Sequence, residues 1–142
     1  MSKINVGKVL LGGLVAGIVL NIGEAILNSV ILAETMKQDM AKLGLADPGT
    51  NTTFLIRAVG MTFILGIVLV YLYAAIRPRC GAGIKTAVCA GAIGWFFVYI
   101  YAAYIQEAVG FVSLKSFAIG AVWGLVEYSL AAIAGAWLYK EE

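Results

Sequence analysis

Asn21, Glu24 and Asn28 interrupt an apolar run, residues 12–32 (GGLVAGIVLNIGEAILNSVIL), that is long enough to cross a bilayer. Their spacing of three and then four residues puts them on one helical face, which Gly13 and Gly17 extend toward the N-terminus. The combination recurs near the C-terminus, where Gly120 and Gly124 lead to Glu127 and then to Ala131 and Gly135 on the same face. Arg57 stands one turn inside another apolar run. A carboxyl group in such a setting can carry a proton, neutralise a cation or tie helices together. Ionised and unpaired at a helix centre, it costs at least about 2.5–3.5 kcal/mol, so each acid calls for a partner or a proton.

Depth along the helices suggests which partner. At 1.5 Å per residue Glu127 falls close to the bilayer midplane, Glu24 roughly 5 Å to the outer side and Arg57 about 12 Å out. A long Arg side chain bends inward by about 6 Å, so a Glu24–Arg57 pair is expected. Glu127 has no cation at its level. It is expected as a protonated acid that donates to Asn21, Ser129 or a backbone carbonyl.

The elements that must position these residues are four hydrophobic spans, at about 9–32, 54–76, 86–105 and 117–139. With 62% hydrophobic and 13% charged residues they use up nearly the whole chain, so residues 1–142 read as a single transmembrane domain. The expected fold is an all-α, integral-membrane four-helix bundle. After the first span, residues 33–44 space Met36, Met40 and Leu43 as an amphipathic helix, closed by Gly44 and the turn Asp47-Pro48-Gly49. Asn51 or Thr52 caps the second span. Arg77-Pro78-Arg79 is expected to stop it. In the third span small residues give way to Trp95, Phe96, Phe97, Tyr99, Tyr101 and Tyr104, whose tyrosines suit an aromatic belt at the headgroups.

Charge sets the orientation. Arg77, Arg79 and Lys85 crowd one short connection without an acid, and Lys3, Lys8 and Lys140 fall on that side of a four-span arrangement. Both termini are therefore expected in the cytoplasm, in the cell inner (plasma) membrane.

The composition also excludes classes of function. The net charge is only +2 and the ten Lys and Arg are scattered, which leaves no basic stripe for nucleic acid. There is no histidine, so the usual ligand of haem, chlorophyll and many metals is missing. No cofactor and no metal site is expected, whereas a bound lipid is compatible with the surface. The nucleophile-elbow, zinc-protease and phosphate-loop motifs of enzymes are absent.

In length and layout alone, the chain resembles the short four-span proteins of bacterial inner membranes. The polar residues admit two readings. In the first, Asn21, Glu24, Asn28, Arg57 and Glu127 form a buried network that fixes helix register. Gly13, Gly17, Gly120, Gly124, Ala131 and Gly135 then pack the first helix on the fourth, within a homo-oligomer or beside other subunits of a membrane complex. In the second, Glu24 and Glu127 serve a proton- or cation-coupled carrier or channel.

Overall fold

Three of the long helices begin where the sequence places a side-chain acceptor for the free N–H groups of a first turn. The Asn5 side chain accepts from the Lys8 N–H at 3.1 Å, Asn51 from Phe54 at 3.1 Å and Ser113 from Ser116 at 3.3 Å. The computed structural model describes residues 3–140, and among these it is all-helical without a strand. Four helices are long and apolar enough to cross a membrane: Val6–Ile31, Thr52–Cys80, Ile84–Ala108 and Leu114–Leu138. In chain order they are the first to fourth spans.

The amphipathic segment is a separate helix, Ala33–Lys42, with the left-handed Gly44 at φ 68° after it. The covered face is the one the methionines mark, with Asp39 buried on it between the half-buried Met36 and Met40, whereas Leu43 is exposed. The second span does not stop before Pro78 but runs on to Cys80. A proline in the last turn costs one hydrogen bond where few remain, and Gly81, at φ 82°, ends the helix instead. The connection before the fourth span is also shorter than expected, because Ser113 starts that helix at Leu114.

Two spans are not uniform. The first widens into a π-helical turn at Leu27–Ile31, and the third does so at Phe96–Ala102. Each insertion turns the next part of the helix by about 100° relative to a regular one.

The first span packs against the second and the fourth, and the third packs against the fourth. Lipid tails are as apolar as leucine, so close van der Waals contact between small residues holds such helices together. Gly13 and Gly17 face Ile67 and Phe63 of the second span, where Gly66 lies against the backbone of both. This corrects the expectation that the first pair meets the fourth helix, which is met instead by Gly12 and Gly23. Gly120 and Gly124 lie under the ring of Tyr99 in the third span. Gly135 sits against Val70, Ala16 and the Gly12 carbonyl, and Ala131 is fully buried. Large apolar side chains such as Leu10, Ile18, Ile64, Val122 and Trp137 point outward, as contact with lipid requires.

The start of the first span, the end of the fourth and the basic connection lie at one end of this arrangement. The Asn5 N–H reaches the Tyr139 hydroxyl at 3.4 Å, and the Arg77 guanidinium lies over the Tyr139 ring, 5.6 Å from its centre. Tyr139 is thus buried at this end, while Trp137 is 82% exposed.

Candidate functional site

Glu24 sits one turn before the widened end of the first span, half-buried, and it is not paired with Arg57. Its Oε1 accepts from the Tyr99 hydroxyl at 2.6 Å, and its Oε2 accepts from the Asn28 side-chain amide at 3.0 Å. The same amide donates to the Glu24 backbone carbonyl at 2.9 Å, which ties Asn28 to its own helix. Among the described residues the ion pairs are Lys37–Glu34 and Lys42–Asp39. Arg57 is exposed and joins neither. An arginine one turn inside a span meets water and headgroups more cheaply than it meets a carboxylate deeper in.

Tyr99 reaches Glu24 because three features agree. The π-turn of the third span aims it inward, Gly120 and Gly124 leave room for its ring, and Tyr128 meets it edge to face with centroids 5.6 Å apart. Tyr99 is therefore no part of an aromatic belt. Tyr101 and Tyr104, on the other side of that turn, are the exposed ones.

Glu127 lies in the seam between the first and fourth spans. It is 4% exposed, and its carboxyl group occupies the space in front of Gly23. Neither of its oxygens makes a hydrogen bond of full geometry among the described residues, and the nearby donor is the buried Nε1–H of Trp123, one turn earlier in the same helix. The donors and acceptors expected for it are turned elsewhere. Asn21 donates to the Gly17 carbonyl at 2.9 Å and Ser129 to the Leu125 carbonyl at 2.7 Å. The two acids are neighbours through Gly23, which adjoins Glu24 in the chain and touches Glu127 in space.

Glu24 also lines a cleft of about 560 Å³ between the first and second spans, roofed by the Ala33–Lys42 helix and the Pro48–Thr50 turn. Asn21, Asn28 and Thr62 line it beside Glu24, and Met36, Phe54, Leu55 and Val59 supply apolar wall. Arg57 is not among the lining residues.

The roof helix is held from the far side. One Asp39 oxygen accepts from the Ser113 N–H, the Ser113 hydroxyl and the Ser116 hydroxyl, each at 3.0 Å. Burial alone would raise the Asp39 pKa, but these donors, with Lys42 nearby, outweigh it and hold the carboxyl below its ordinary 3.8. One carboxylate thus joins the roof to the first turn of the fourth span.

Of the residues singled out in the sequence, Glu24 and Asn28 are in direct contact. Asn21 shares their cleft, Glu127 lies behind Gly23, and Arg57 stands apart. Sequence reasoning missed Tyr99 and Asp39. For Asp39 a signal existed, since Ser113 and Ser116 form a serine cap that an acid can join. Comparison with protein-family models, with curated proteins and with solved structures finds no match.

Proposed function

We propose that this chain is a small multi-pass membrane carrier in which Glu24 exchanges a proton or a cation with the cleft between its first two spans. Glu127 stands behind it as a second, enclosed acid. The observation that carries the reading is that Glu24 faces the cleft while only neutral donors, Tyr99 and Asn28, meet its carboxylate. A structural role alone would be served by an uncharged residue without the cost of a carboxylate in a span.

Orientation belongs to the same proposal. With the basic end in the cytoplasm of a cell whose plasma membrane holds the protein, the cleft opens on the outer side. A role as an accessory subunit or homo-oligomer draws no support from the glycine pairs, since Gly13, Gly17, Gly120 and Gly124 are all covered within the chain.

Vesicles reconstituted with the purified protein and loaded with a pH-sensitive dye test the reading. An imposed pH gradient should collapse faster than in protein-free vesicles, and Glu24→Gln should slow it by about tenfold or more. A rate equal to that of empty vesicles, or one that Glu24→Gln leaves unchanged, rules out proton exchange, and failure of cation binding as well overturns the carrier reading.

A further inference from the structure

We infer that the cleft takes an organic monocation with an apolar body, a protonated or quaternary amine, with its charged nitrogen at Glu24 and its body against Met36, Phe54, Leu55 and Val59. The inference rests on the carrier reading above and gives it a ligand class.

Charge is the first argument. A carboxylate has about four lone-pair sites, and Tyr99 and Asn28 use two of them without bringing a positive charge. Among the described residues no Lys or Arg pairs with Glu24. A cation entering from the cleft completes the pair in surroundings where water screens it little. Lys37 also lines the cleft, but its ammonium is held by Glu34 at 3.4 Å and its side chain is 57% exposed, so it marks the rim.

Ligand chemistry is the second argument. A divalent ion such as calcium needs about six to eight oxygens at close range. Among the described residues there is no group of three or more Asp, Glu or Cys that could hold a metal. The cleft offers Glu24 deep inside and Asp47 at the Pro48–Thr50 turn, where one oxygen already accepts from the Gly49 N–H at 2.8 Å, too few anionic oxygens for the shell of a divalent ion.

Size and lining are the third. A space of about 560 Å³ falls in the range of small-molecule sites, roughly 300–1,000 Å³, which are mostly apolar with few placed polar groups. An apolar body gains by leaving water for these side chains, and the nitrogen gains by reaching Glu24. Neither an alkali ion nor a neutral hydrocarbon uses both.

Benzyltrimethylammonium and its neutral isostere neopentylbenzene separate these contributions. Equilibrium dialysis against the full chain in lipid nanodiscs, with empty nanodiscs subtracted, should show saturable binding of the cation and none of the isostere. Glu24→Gln should weaken cation binding about tenfold or more, the range of a lost charge-assisted contact, while Glu24→Asp keeps part of it. Ala58→Phe, which fills the cleft wall and leaves the carboxylate intact, should abolish binding in a protein of unchanged helix content. Equal uptake of both probes, no saturable uptake, or wild-type binding by both Glu24→Gln and Ala58→Phe overturns the inference. Failure of cation binding alongside a Glu24-dependent proton flux overturns the ligand class alone; failure of both overturns the carrier reading with it.

Discussion

The carboxyl group of Glu127 fills the place that a side chain at position 23 would occupy: a Cβ built on Gly23 would lie 2.5 Å from its Cδ and 2.7 Å from its Cγ. Glycine at 23 is therefore what lets a buried acid of the fourth span lie against the first. Gly23→Ala should destabilise the protein by about 1–3 kcal/mol, as overpacking of a filled core does. In a Glu127→Ala background most of that cost should vanish, because the clash has no second partner. Reversible unfolding in mixed micelles measures the coupling, and simple additivity of the two changes would show that Gly23 and Glu127 do not share this space.

Glycines of the second span should respond in opposite ways. A Cβ at Gly66 would come within 2.5 Å of the Gly13 carbonyl and the Gly17 nitrogen, which are backbone and cannot rotate aside. Gly66→Ala should then force the first two spans apart, with a loss of about 2 kcal/mol or more. Gly60 has no atom within 4 Å, and Gly60→Ala should be neutral or stabilising by up to about 1 kcal/mol through helix propensity. Side-by-side thermal unfolding of the two variants decides, and equal losses would contradict the packing described.

The four spans were legible in the chain because a run of some twenty apolar residues has few other fates. The capping role of Asn51 and the turn at Asp47-Pro48-Gly49 were legible for local reasons, as acceptors and φ preferences act over three or four residues. The partner of Glu24 was not. Tyr99 lies 75 positions away, and its facing depends on a π-turn that leaves no mark in composition. Likewise the spacing of Gly13 and Gly17 predicts a close contact without naming the helix that makes it, and Ile67 and Phe63 proved to be on the second. Arg57 misled because its charge suited Glu24 and its long side chain can bend inward toward that depth, whereas its exposed position satisfies it better.

Tyr99→Phe isolates the hydroxyl from the ring. The ring keeps its seat on Gly124 and its edge-to-face contact with Tyr128, while Glu24 loses the donor at 2.6 Å. A hydrogen bond to a charged group contributes about 1.5–3 kcal/mol, so unfolding should shift by an amount in that range. Gly124→Ala should move the ring itself, and with it the hydroxyl. Both variants should alter the near-ultraviolet dichroism of the tyrosines, Gly124→Ala the more strongly. Wild-type stability in Tyr99→Phe would argue that the bond to Glu24 adds nothing.

Asp39 should make attachment of the roof helix depend on pH only in acid. Its pKa is held below 3.8 in the folded protein, first against the opposing effect of burial and then by the three donors from Ser113 and Ser116. A depressed folded value means that the stabilisation is complete above the unfolded pKa and is lost as pH falls through the folded one. Hydrogen exchange over residues 33–44, corrected for intrinsic rates, should therefore be constant from neutral pH to about 4 and rise below it. Asp39→Asn should raise exchange at neutral pH and flatten the profile. Ser116→Ala, which removes one of the three donors to a charged group, should cost about 1.5–3 kcal/mol of local protection. Lys42→Ala should change little, because its pair with Asp39 is 3.7 Å long and its side chain is 72% exposed. A profile in Asp39→Asn that still turns up below pH ~4 would show that Asp39 is not the switch.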